Sequence, residues 1–128
     1  MILDSSALIA VIMTEPGSEA ILAKIRAAAL AGIGAPTVVE TAMVLWRRLD
    51  GDPMPLLTEL LGEMDVEVIP FSEKHSRVAL DAFMRFGKGR HPAALNFGDC
   101  LTYAVASIAD QPVLYAGSDF AQTDLASA

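Results

Sequence analysis

Four acidic side chains stand in apolar company that an ordinary surface carboxylate avoids. Asp4 closes the run Met1-Ile2-Leu3, and Glu40 interrupts an apolar stretch between Val38-Val39 and Ala42-Met43-Val44-Leu45. Asp99 opens Cys100-Leu101-Thr102-Tyr103-Ala104-Val105-Ala106, and Asp119 lies in Tyr115-Ala116-Gly117-Ser118-Asp119-Phe120. Other acids, such as Asp50, Asp52, Glu59, Glu63 and Glu73, fall in polar loops or on exposed helix faces. Carboxylates gathered at partly apolar positions repel one another and raise each other's pKa unless a cation compensates. Their hard oxygens suit Mg2+, with Mn2+ as the alternative, and the absence of a His/Cys cluster argues against zinc. Singly, each acid has a plainer reading. Asp99 would serve as a helix cap, Asp4 and Asp119 as turn acids, and Glu40 as an ion-pair partner of Arg47 or Arg48. Those readings require four separate coincidences on one rim of the fold, so a site is the better account.

The elements that would position these acids alternate between strand and helix. Met1–Leu3 reads as a short buried strand, followed by a helix to about Met13 with Ser5 or Ser6 as its cap. Glu15-Pro16-Gly17-Ser18 breaks that helix, and a second runs from Glu19 to Leu30. A turn and short strand at 32–36 lead to a helix from Thr37, its cap, to Leu49. Met54–Met64 is helical, Val66–Pro70 is a strand, and Ser72 caps a helix over Glu73–Phe86. After an irregular segment at 87–92 come a helix over Asp99–Ala109, a strand over Gln111–Tyr115 and a polar tail. This order predicts an α/β domain with a mostly parallel sheet. Asp4 and Asp119 then lie at carboxyl ends of strands, and Glu40 and Asp99 in first turns of helices that start at the same edge. Ligands of such sheets bind beyond that edge.

The chain has 128 residues, 53% hydrophobic and 20% charged, which excludes disorder and predicts one domain over 1–128. No charge-free apolar run of about 18 residues predicts a membrane span. No signal peptide is read at the N-terminus, and a single cysteine, Cys100, fits a reducing cytoplasm. The net charge of −7 is blocked: 24–48 and 71–91 each carry +3, while 49–70 carries −6. Such patches leave nucleic acid open as a partner. Arg85-Phe86-Gly87-Lys88-Gly89-Arg90-His91 sets Lys88 and Arg90 among glycines, where RNA phosphates could approach; the plainer reading is a solvated helix end. His75 and His91 read as surface residues. Met43, Trp46 and Leu49, with Met54, Leu57 and Leu61, form apolar stripes that serve the core by default and a partner in part.

Met1-Ile2-Leu3-Asp4-Ser5-Ser6-Ala7-Leu8, Pro36-Thr37-Val38-Val39-Glu40-Thr41-Ala42, Leu95-Asn96-Phe97-Gly98-Asp99-Cys100 and Gly117-Ser118-Asp119-Phe120 follow one another from the first residue to the last ten. On them the chain resembles PIN-domain ribonucleases, and more narrowly the VapC toxins of VapBC toxin–antitoxin systems. The resemblance implies a three-layer α/β/α sandwich around a parallel sheet. It implies an endoribonuclease toxin that uses Mg2+ or Mn2+ and cuts structured RNA such as tRNA or rRNA. It matches Asp4, Glu40, Asp99 and Asp119 to the family's acidic quartet and Ser6 to a hydroxyl that helps hold a water of the metal. From the charges, Asp4 and Asp99 are expected as direct ligands. The last acidic position is the least fixed, with Asp124 as substitute, and relatives often carry a basic residue where Ala116 stands. A VapB antitoxin and a homodimer are implied as partners, with Trp46 and its neighbouring helices as the expected antitoxin groove.

Rival readings are weaker. A receiver domain needs a phosphoacceptor Asp after its middle strand, where Ile69-Pro70-Phe71 stands. A haloacid-dehalogenase-like phosphatase needs a second Asp where Ser6 stands, and no P-loop or complete dinucleotide fingerprint occurs. The serious alternative is a catalytically silent module of the same fold that binds antitoxin or RNA.

Overall fold

The computed structural model describes residues 1–128. Its elements are β1 (Ile2–Leu3), α1 (Ser5–Ile12), α2 (Ser18–Ala27), β2 (Ala31–Gly34), α3 (Ala35–Arg48), α4 (Met54–Glu63), β3 (Val66–Ile69), α5 (Glu73–Phe86), α6 (Phe97–Ala109) and β4 (Val113–Leu114). The strands form one parallel sheet in the order β3-β2-β1-β4.

Side chains alternate across each strand, and this sorts the core into two layers. Ile2 and Val113 join Ala82, Phe86, Leu95, Tyr103, Val105 and Phe120 on the face covered by α5 and α6. Leu3, Ile33, Val66 and Leu114 join Leu8, Ile25, Val38 and Leu61 on the face covered by α1 to α4. The result is a three-layer α/β/α sandwich. Right-handed crossovers account for the division. The chain steps from β1 to β2 to β3 in one direction with helices on one face, then returns past β1 to β4 with α5 and α6 on the other. The reversal falls between β1 and β4, and Asp4 stands at the carboxyl end of β1 beside it.

Several local expectations need correction. Asp4, not Ser5 or Ser6, is the N-cap of α1, because its carboxylate reaches the Ser6 N–H from the last non-helical position. α3 begins at Ala35 with Gly34 as N-cap and Pro36 in its first turn, so Thr37 is a buried helical residue. Glu40 therefore lies in the second turn. α6 begins at Phe97, capped by Asn96. The tail is not merely polar: Phe120 is buried, and Val113 donates its N–H to Ala126 O (2.9 Å) while Ala128 donates to Val113 O (2.9 Å). No helix is long and apolar enough to cross a membrane.

Candidate active site

Asp4 is buried where β1 passes into α1. Its Oδ2 accepts the Ser6 N–H (3.0 Å) and the Ser6 hydroxyl (2.6 Å), and its Oδ1 accepts the Thr102 hydroxyl (2.8 Å). Both lone pairs of Oδ2 are thereby engaged, and one remains on Oδ1. The Ser6 oxygen also accepts the Ala116 N–H (3.1 Å), which pins the loop after β4 to the start of α1. One lone pair of Ser6 is left for a water.

Asp99 is buried in the first turn of α6. Asn96 and Asp99 form a reciprocal cap: Asp99 N–H donates to Asn96 Oδ1 (3.0 Å) and Asn96 N–H to Asp99 Oδ2 (2.7 Å). The helix-cap reading and the site reading thus share one side chain, with Oδ2 serving the cap. No buried side-chain oxygen lacks a partner, so the unpaired Oδ1 meets solvent. Burial pushes the Asp99 pKa up from 3.8 to about 6, the Asn96 N–H opposes that, and the charges of Asp4 and Asp119 add to it.

Glu40 reaches the same place from α3. Burial raises its pKa above the ordinary value, as do the charges of Asp4 and Asp99, while the neighbouring Ser5 hydroxyl acts the other way. Its carboxylate lies against Gly98, where a Cβ would overlap it. Arg47 and Arg48 do not claim it: Arg48 pairs with Glu15 (3.3 Å), and Arg47 forms no ion pair. Asp119 is exposed and close enough to raise the pKa of Asp99. Asp124 is engaged elsewhere, by Arg85 (2.6 Å) and the Tyr103 hydroxyl (2.7 Å).

The structure thus brings Asp4, Glu40, Asp99 and Asp119 into one electrostatic neighbourhood, but no three of them close into a ready-made ligand set. Their mutual repulsion and the hydrogen bonds to both oxygens of Asp4 and to Oδ2 of Asp99 oppose a tighter cluster. What is offered suits Mg2+ or Mn2+: one open lone pair on Asp4 Oδ1 and an unpaired Oδ1 on Asp99, with the rest of the shell left to water and phosphate. Thr102, Thr37, Asn96 and Gly98 complete the neighbourhood; the sequence reading gave none of them a role in the site and took Thr37 for a helix cap. A threonine among apolar residues on a buried helix was the available signal.

Lys88 and Arg90 are exposed and form no ion pair. Their loop is anchored, since Lys88 N–H donates to Leu95 O (3.0 Å) and Leu95 N–H to Phe86 O (2.9 Å). His75 is not a surface residue: it is buried, and its Nδ1 accepts the Ser72 N–H (3.1 Å) at the start of α5. His91 Nδ1 accepts the Ala93 N–H (3.1 Å). Leu57 and Leu61 belong to the core, whereas Met43 and Trp46 are exposed on α3.

A family model for the PIN domain matches residues 1–125, and the chain belongs to that family. Ribonuclease VapC36 of Mycobacterium tuberculosis (strain ATCC 25618 / H37Rv) is 44% identical, covering 98% of this chain and 91% of its own. Ribonuclease VapC30 of the same strain is 36% identical over 99% and 97%. Within the PIN domain family, then, the chain is a member of the VapC ribonucleases. Among solved structures, Mycobacterium tuberculosis VapC20, described as a sarcin-ricin loop cleaving toxin, superposes with a TM-score of 0.79 at 13% identity over 99% of this chain and 97% of that one. A toxin–antitoxin complex from Klebsiella pneumoniae gives 0.71 at 14% identity over 96% and 92%. Both show the shared fold.

Proposed function

We propose that this chain is the toxin of a toxin–antitoxin pair, a Mg2+- or Mn2+-dependent endoribonuclease that blocks translation by cutting structured RNA, tRNA or rRNA, in the cytoplasm. One observation carries this reading. In a VapC ribonuclease family chain, Asp4 and Asp99 each tie one oxygen to their own helix start and keep at least one lone pair of the other open, with Glu40 and Asp119 bearing on them electrostatically.

In-line displacement at a phosphodiester builds negative charge on the attacking and leaving oxygens, which a site lined only by carboxylates would oppose. A divalent cation, when bound, supplies the neutralisation of that charge and the activation of water. The protein's part is to hold: Asp4 and Asp99 present oxygens, Glu40 and Asp119 orient water, and Ser6 fixes Asp4 to the loop after β4. Lys88 and Arg90 are assigned to the RNA backbone. The apolar face containing Met43 and Trp46 is assigned to a VapB-type antitoxin, and the active form is read as a homodimer.

The test is cleavage of total RNA by purified protein, with mapping of the ends. Mg2+ or Mn2+ should support cutting, EDTA should stop it, and Asp4→Asn should not cut. RNA or antitoxin binding without cleavage under any divalent cation would establish the silent binding module instead.

A further inference from the structure

We propose that Thr102, backed by Thr37, is a positioning residue that holds Asp4 Oδ1 so that this oxygen presents one fixed lone pair to a divalent cation. The inference rests on the cation-dependent reading above and deepens it. Thr102 is fully buried on α6, and its hydroxyl donates to Asp4 Oδ1 at 2.8 Å across 98 residues of sequence. Thr37, 1% exposed on α3, has its hydroxyl 3.3 Å from that of Thr102. Each threonine has one hydroxyl proton. Thr102 has committed its proton to the carboxylate, so Thr37 donates to Thr102, and the chain of donors runs from Thr37 through Thr102 to Asp4.

This chain does more than satisfy a buried acid. Thr102 follows Asp99 by three residues on α6, so the two lie on neighbouring positions of one helix face. The helix that carries Asp99 thereby grips Asp4 directly, which sets the separation of the two carboxylates. Ser6 fixes only the other oxygen, Oδ2. Without the Thr102 hydroxyl the Asp4 carboxylate is free to turn about the Ser6 contact. Thr41 supplies a matched control: it is equally buried, and its hydroxyl donates to Thr37 O (2.8 Å) rather than along the chain to Asp4.

Mn2+ titration of the RNA-free protein, read by electron paramagnetic resonance of the unbound ion, tests this. Folding of each variant is checked by circular dichroism. Thr102→Val and Thr102→Ala should each weaken Mn2+ binding by about 10- to 100-fold, the range for residues that orient a ligand. Thr102→Ser should restore it, Thr37→Val should give a smaller loss, and Thr41→Val should leave it unchanged. If Thr102→Val does not fold, Thr102→Ala and Thr37→Val carry the test. Wild-type affinity in Thr102→Val or Thr102→Ala overturns the proposal, as does an equal loss in Thr41→Val, which would indicate general destabilisation. Failure of the wild-type protein to bind Mn2+ overturns the cation reading itself, and this inference with it.

Discussion

Gly98 leaves the Glu40 carboxylate its place: a Cβ built on Gly98 would overlap both carboxylate oxygens. The glycine is needed here for space, since it sits in the first turn of α6 without a left-handed backbone. Gly98→Ala should therefore separate stability from activity. Alanine favours a helix over glycine by about 0.5–1 kcal/mol, and the displaced atoms belong to the mobile end of a long side chain. The melting temperature should hold or rise, while RNA cleavage falls by roughly 100-fold through misplacement of Glu40. A variant that cuts RNA normally would show that Glu40 has no positional role.

Asp99 gives the metal-free protein an inverted pH dependence. Its pKa rises from 3.8 to about 6 in the fold, so between those values the folded chain retains a proton that the unfolded chain has lost. Stability then falls as pH rises through that window and levels off above it, by an amount on the order of 2–3 kcal/mol. Glu40 is shifted in the same direction. Thermal melts in EDTA should be higher at pH 5 than at pH 7.5. Asp99→Asn should flatten that slope, keep the Asn96 cap through its amide oxygen, and abolish cleavage. A flat wild-type profile would mean that burial and its acidic neighbours do not hold the proton on Asp99.

The acids were legible because a charged residue inside an apolar run is conspicuous in any order of elements. Asp4 and Asp99 needed only the strand–helix alternation to be placed on one edge. Their partners were not legible. Thr102 looks like an ordinary member of a helical stretch and Thr37 like a helix cap, and only the meeting of α3 and α6 beyond the carboxyl end of β1 makes them neighbours around Asp4. The caps misled for a related reason: Asp4 and Asn96 each cap a helix whose following residues were equally good candidates by type. Phe120 in a polar tail carried no periodicity at all, although burial against β4 and α6 anchors the loop bearing Asp119.

Asp119 and Asp124 should separate cleanly. Burial tends to raise the Asp124 pKa, but hydrogen bonds from Tyr103 and Arg85 outweigh it and hold the carboxyl below its ordinary value. Asp124 is thus spoken for, whereas Asp119 bears on Asp99. Asp119→Asn should weaken Mn2+ binding and cleavage. Asp124→Asn should spare both and lower the melting temperature modestly, because its half-exposed pairing contributes little. The opposite pattern in Mn2+ titrations would transfer the fourth acidic role to Asp124.

Trp46 is 62% exposed on α3, with Met43 at 58% and Val39 at 56% one and two turns earlier, an apolar stripe facing solvent. The antitoxin proposed to cover it should shift the fluorescence of this single tryptophan to shorter wavelength. Trp46→Ala should raise the dissociation constant by tenfold or more if the ring is a central anchor. An antitoxin complex with unchanged emission would move the contact to another face.

Lys88 and Arg90 carry charges that no acid in the chain neutralises through an ion pair, on a loop fixed at Gly87 and Leu95. A fixed loop loses little freedom when it meets a phosphate backbone, so both charges are available for RNA. Replacing both by glutamate should weaken RNA binding, and the effect should be largest at low salt. The slope of log affinity against log salt should fall by roughly 0.7 to 0.9 for each phosphate, in single-stranded or paired segments, that the protein no longer neutralises. Mn2+ binding by the same variant should be unaffected, because neither residue bears on the Asp4, Glu40 or Asp99 carboxylates. An unchanged salt slope would return the segment to a solvated helix end and leave the RNA backbone to other cations of the chain.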